Sequence, residues 1–172
     1  MVENSLRETV LIRPTVMIVD DAGENLMIME SILAKEYSLK LFEVAKDAID
    51  YAIANPPDLI LLDVMMPDID GFEACRRLKS NPKLSDVPVI FITSKDEDEF
   101  EEMGFTVGAS DYIQKPINAA ILKARVKTHL KIKLVMDYLR NENVRLQSSA
   151  TQTSSELAEV TKMLWGGSFF KS

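Results

Sequence analysis

Leu59-Ile60-Leu61-Leu62-Asp63-Val64-Met65-Met66-Pro67-Asp68-Ile69-Asp70-Gly71 is the stretch on which the fold turns. A short continuous apolar run, Leu59 to Leu62, suits a strand covered on both faces. Asp63 sits at its end, a turn rich in Asp and Pro follows, and Gly71 opens a helical pattern that runs to Asn81. The stretch is one strand-to-helix unit with a carboxylate at the joint.

Working outward, the same unit recurs. Apolar runs of strand length are Val16 to Val19, Leu39 to Val44, Val89 to Ile92 and the shorter Asp111 to Ile113. Helical patterns follow them at Asn25 to Lys35, Ala45 to Asn55, Asp96 to Val107 and Asn118 onward. Pro56-Pro57, Asn81-Pro82 and Gly108 punctuate the second, third and fourth helices. Five such units predict a parallel sheet with right-handed crossovers, an open doubly wound α/β domain.

The fifth helix continues past the expected end of that domain. Leu122, Val126, Leu130, Leu134 and Tyr138 step by four, which predicts a long helix to about Leu146. Gln147 to Ser155, rich in Ser, Thr and Gln, reads as a flexible linker. Thr153-Ser154-Ser155-Glu156 fits a capping box, so a short helix with Leu157, Val160 and Leu164 on one stripe is expected after it. Trp165, Phe169 and Phe170 stand in a Gly-rich end that reads as disordered, with a docking peptide as the alternative.

The chain has 172 residues, 20 basic against 27 acidic side chains, and 47% hydrophobic composition. That is enough to bury a core, and it excludes a wholly disordered chain. No apolar run approaches the roughly 18 residues needed to span a bilayer. Met1 to Pro14 carries Glu3, Arg7, Glu8 and Arg13 and lacks the pattern of a signal peptide. One Cys and one His exclude an internal disulfide and a zinc finger. The expectation is a soluble cytoplasmic protein. The charge is uneven: residues 1–116 sum to −12, residues 117–147 to +5, and the remainder to zero. The basic helix with its apolar positions reads as a dimer or linker helix rather than a nucleic-acid contact.

Ligands of open α/β sheets bind at the carboxyl ends of the strands, at a topological switch point. Asp20 and Asp21 follow the first strand, Asp63 ends the third, Thr93 follows the fourth, and Lys115-Pro116 follows the fifth. The second strand leads straight into Ala45 and Lys46, which suits an edge position and a sheet order 2-1-3-4-5. Clustered carboxylates repel one another, and an oxygen-only donor set points to Mg²⁺ or a similar hard cation. A metal, an ammonium and a hydroxyl around a central carboxylate suit phosphoryl transfer, with Asp63 as nucleophile. Cys75, spaced with Phe72 and Leu78, reads as a buried small hydrophobe. His129 has no carboxylate near it in sequence and reads as a surface residue. The acidic run Asp96 to Glu102 reads as a well-started, solvated helix.

The set Asp20-Asp21, Leu61 to Gly71 around Asp63, Thr93, Tyr112 and Lys115-Pro116 closely resembles the receiver domain of two-component response regulators, over roughly residues 14–132. The resemblance implies a flavodoxin-like five-stranded fold and a phosphoprotein. Asp63 would accept a phosphoryl group from a sensor histidine kinase or phosphotransfer protein. Asp21, Asp63 and the Met65 backbone carbonyl would hold Mg²⁺ (or Mn²⁺), with Asp20 acting mainly through water. Thr93 and Lys115 would contact the phosphoryl oxygens, Tyr112 would be an aromatic switch coupled to Thr93, and the Lys115-Pro116 peptide would be cis. Positions two after Asp63 and Thr93, here Met65 and Lys95, tune rates in this family. An apolar Met65 cannot position an attacking water, so a long-lived acyl phosphate is expected.

By the same resemblance the chain is a phosphoacceptor switch rather than an enzyme, with 14–132 as receiver, 133–147 as an extended connector helix, and 148–172 as linker, short helix and tail. Partners would be the kinase and a second copy, paired through the face of the fourth helix, fifth strand and fifth helix or through the connector, without nucleic acid or membrane. Ala124 to Lys131 and Asp137 to Asn143 are similar to connectors that precede cyclic-di-GMP-related output domains, so a fragment of such a regulator is an alternative. A haloacid-dehalogenase-type phosphatase would want an Asp where Met65 stands. A scaffold pseudo-receiver would lack one of the acidic, Thr or Lys positions, and all are present.

Overall fold

The computed structural model describes residues 13–94 and 106–165. Its elements run β1 (Thr15–Val19), α1 (Gly23–Leu33), β2 (Ser38–Phe42), α2 (Ala45–Ala54), β3 (Leu59–Asp63), α3 (Gly71–Ser80), β4 (Val89–Thr93), β5 (Asp111–Gln114) and α4 (Ala119–Trp165). The sheet is wholly parallel in the order β2-β1-β3-β4-β5. This is the doubly wound α/β fold expected from the alternating pattern. The helix expected over Asp96 to Val107 lies almost wholly outside the described residues, and Thr106 to Gly108 form a turn.

Strand alternation builds two cores, one on each face of the sheet. Val16, Ile18, Leu59, Leu61, Ile90 and Ile92 pack with Leu26, Met29 and Leu33 of α1 and Leu122 and Val126 of α4. Met17, Val19, Ile60, Leu62, Val89 and Phe91 pack with Ala45, Ala48, Ile49 and Ala52 of α2 and Phe72, Cys75 and Leu78 of α3. The central strands β3 and β4 are buried at every residue, which is why they read as continuous apolar runs. Edge strand β2 is partly exposed throughout.

The β3–α3 joint is tight. A Cβ on Gly71 would meet the Asp63 carbonyl oxygen and lie 2.7 Å from Val64 Cα. Gly71 N–H donates to the Val64 carbonyl at 3.0 Å, and Asp70 caps α3 by accepting from Glu73 N–H at 2.8 Å. Only a glycine allows the backbone to return this close to the strand end.

The chain divides into two units, Met1–Lys133 and Leu134–Ser172. In the second unit the structure departs from the expected break. Gln147 to Ser155 is helical, and α4 continues to Trp165 without a linker or a separate short helix. The Ser and Thr side chains join the helix instead of interrupting it. Ser148, Ser149, Thr151 and Thr153 each donate to the carbonyl four residues earlier. Thr153 therefore bonds back to Ser149 rather than capping a new helix. The residues after Trp165, including Phe169 and Phe170, lie outside the described part.

Candidate functional site

Val19 pairs with Leu62 across β1 and β3, so Asp20 and Asp63 leave adjacent strands at the same rim, beside the point where the strand order reverses. Asp21 joins them. Carboxylate oxygens of Asp20, Asp21 and Asp63 lie within 4.8 Å of one another. Asp20 and Asp63 are buried, and Asp21 is exposed.

Lys115 reaches in from the end of β5. Its Nζ lies 3.0 Å from Asp63 Oδ1 and 3.1 Å from Asp20 Oδ2. The backbone holds this reach in place, because Lys115 N–H donates to the Thr93 carbonyl at 2.7 Å; the Lys115–Pro116 peptide is cis. Thr93 ends β4 with its side chain buried. Burial pushes the Asp63 carboxyl above its ordinary value, Lys115 opposes this, and the Asp20 charge adds to it. For Lys115, burial favours the neutral form, but its bonds to Asp63 and Asp20 outweigh that and raise it.

Asp20 has a further partner that the sequence did not single out. The Asn25 side-chain amide donates to both of its carboxylate oxygens at 3.0 Å, and Ala22 N–H donates to Oδ1 at 2.9 Å. Asn25 sits in the first turns of α1, which starts at Gly23 rather than at Asn25. An Asp followed five residues later by an amide at a helix start was the available signal.

The donors suit a hard divalent cation: oxygen ligands only, two of the carboxylates buried, and a single ammonium that leaves three carboxylates two charges short of neutrality. Met65 projects its side chain into solvent at the mouth, and its backbone N–H bonds to Asp63.

On β5, Tyr112 is half-buried and packs against the α2/α3 side, with the Arg125 guanidinium 5.8 Å from its ring centre. Beside it, Asp111 accepts from Arg125 at 2.6 Å, and His129 Nε2 lies 2.9 Å from the same carboxylate. His129 is thus not the free surface residue expected from sequence; it is largely covered and paired. Cys75 is buried, as expected, and burial pushes its thiol up to about 11.

A doubly wound sheet with an acidic, lysine-bridged cleft at its switch point defines a class of aspartate-centred sites. The chain matches the family model of the response regulator receiver domain over residues 16–127, and it belongs to that family. It is 41% identical over 143 residues to a probable cyclic di-GMP phosphodiesterase of Vibrio cholerae, covering 83% of this chain and 32% of that protein. It is 41% identical over 130 residues to response regulator PleD of Caulobacter vibrioides, covering 73% of this chain and 28% of that protein. The chain thus spans about a third of the length of these relatives. Among solved structures it resembles the receiver domain of sensor histidine kinase PA1611 from Pseudomonas aeruginosa, which holds a magnesium ion in its active site cleft. That match has a TM-score of 0.64 at 25% identity and covers 69% of this chain and 98% of that one. Among the described residues no helix is long and apolar enough to cross a membrane.

Proposed function

We propose that this chain is a phosphorylation-controlled signalling switch with Asp63 as its phosphoacceptor. One observation carries the reading: Asp63 stands at the end of the central strand, 3.0 Å from the Lys115 ammonium and within one metal's reach of Asp20 and Asp21. An Asp63 carboxylate oxygen forms the new O–P bond as the P–N bond to a donor histidine breaks. The donor nitrogen takes the bond's electron pair and then a proton from solvent. Lys115 and the Thr93 hydroxyl hold the phosphoryl oxygens. A cation of the Mg²⁺ type (or Mn²⁺), held by Asp20, Asp21, Asp63 and the Met65 carbonyl, would supply charge neutralisation at those oxygens.

The donor is a sensor histidine kinase or a phosphotransfer protein. Beyond its own phosphotransfer and dephosphorylation the chain carries no catalytic role in this reading. Thr93 and Tyr112 transmit the change. A cavity of about 310 Å³ lined by Tyr112, Lys115, Pro116, Ile121 and Arg125 leaves the ring room to move. Altered packing there changes the β5 face that a second copy or a target would meet.

The experiment is incubation with acetyl phosphate and Mg²⁺. The expected result is a mass gain of one phosphoryl group, absent in Asp63→Ala. No gain in the wild-type chain would make it a scaffold; steady release of phosphate would make it a hydrolase. The Vibrio relative favours a second, output-level reading in which the receiver serves cyclic-di-GMP regulation. Cellular cyclic-di-GMP should then differ between strains carrying the wild-type and Asp63→Ala forms, and equal levels would remove that reading.

A further inference from the structure

The second unit leaves an apolar stripe without cover. Met136, Leu139, Leu146, Leu157 and Val160 are each half or more exposed. With Asn143, Ala150 and Thr153 they fall at alternating spacings of three and four residues from Met136 to Val160. This 3.5-residue repeat differs from the four-residue steps of Leu122, Val126 and Leu130, which face the receiver core. A straight helix would let a 3.5 repeat drift around its surface. Only a supercoiled helical partner keeps such a seam in register.

We propose that Met136 to Val160 is the seam of a parallel, two-stranded coiled coil with a second copy of this chain. Three features select this occupant. First, Met136, Asn143, Ala150 and Leu157 take the a positions and Leu139, Leu146, Thr153 and Val160 the d positions. Asn143 is then the one buried amide, a residue that specifies register when it meets its own counterpart.

Second, the flanking charges discriminate between orientations. Parallel, in-register pairing sets Glu142 against Gln147 of the second copy and Glu156 against Thr161, so no like charges meet. Antiparallel pairing sets Glu142 across from Glu156. Third, the stretch from Gln147 to Ser155 holds four Ser and two Thr, which are poor helix formers, and an isolated helix of this make-up would fray. A partner along its length accounts for its continuity. The seam runs about 38 Å, and at a helix diameter of about 10 Å it covers roughly 400 Å² of projected surface on each copy. That is the low end for a specific interface and predicts a reversible dimer.

The inference stands apart from the phosphoacceptor reading, and its test separates them. Sedimentation equilibrium of the full 172-residue chain, unphosphorylated, should give a dimer, and so should Asp63→Ala. Leu146→Glu should weaken association by roughly 100-fold or more, through burial of charge at the seam, while Ser148→Glu on the outer face leaves it unchanged. Receiver melting should be the same in all variants, which separates lost pairing from lost folding. Leu139→Cys should cross-link to itself under mild oxidation, Cys75 being buried. A wild-type monomer at about 100 μM, a chain-length affinity weaker than most specific pairs, would overturn the proposal. So would a Leu146→Glu dimer, or cross-linking that requires Leu139→Cys and Leu157→Cys on opposite chains.

Discussion

Gly71 shows how far a single residue can be decided by backbone proximity alone. Its Cβ position is filled by the Asp63 and Val64 backbone. Gly71→Ala should therefore cost about 1–3 kcal/mol in urea unfolding, as overpacking does, and should reduce phosphorylation by displacing Asp63. Met65 is a second residue-scale case. Its exposed apolar side chain offers nothing to orient a water. The phosphorylated form should persist for minutes or longer after acetyl phosphate is removed, and Met65→Asn should shorten that time several-fold in a phosphate-release assay. Asp111 supplies the pH dependence. Burial pushes its carboxyl up, but Arg125 and His129 outweigh that and hold it below the ordinary carboxylate value. A carboxyl depressed on folding stabilises the protein above its unfolded value and loses that contribution as pH falls through the folded one. Unfolding measured across the acid range should steepen below about pH 4. Asp111→Asn should flatten that limb and cost about 1–3 kcal/mol at neutral pH. The Asp20, Asp63, Thr93 and Lys115 positions were readable because each sits at a strand end. The Asp111–His129 pair was not, since its 18-residue separation closes only when β5 and α4 have packed together.

At the scale of elements, continuous apolar runs announced β1, β3 and β4 because both faces of each are covered. Leu61→Ala, at a fully buried position of β3, should cost about 2–5 kcal/mol in the same unfolding experiment. Ends were less legible. Val44 was read as strand, yet it is the extended N-cap residue of α2, and β2 stops at Phe42. The error in α4 has a different origin. Ser, Thr and Gln are ambiguous in isolation, since their side chains can serve a turn or a helix equally well. Here the hydroxyls return to i−4 carbonyls, and Gln152 donates to Glu156 one turn on. The composition of the segment could not distinguish those outcomes, whereas its three-four apolar spacing carried a signal of continuity.

For the whole molecule, the net charge of −7 conceals a −12 segment that holds the acidic cleft and a +5 segment that opens α4. Lys115 tempers the cleft by bridging Asp20 and Asp63, so a chelator should leave the melting temperature of metal-free protein unchanged. Mg²⁺ at ten times its dissociation constant should add about 1.4 kcal/mol, a rise of about 3–5 °C in a thermal melt. That bridge also has a kinetic consequence. Lys115 lies 52 residues beyond Asp63 in the chain and arrives with the last strand. The cleft is therefore closed by contacts between distant parts of the chain, which carry a larger loop-closure cost than neighbouring strands and should form late. In stopped-flow refolding with acetyl phosphate and Mg²⁺, the ability to accept a phosphoryl group should lag behind the burial of β1 and β3. Competence to signal is then a report that the final strand has docked.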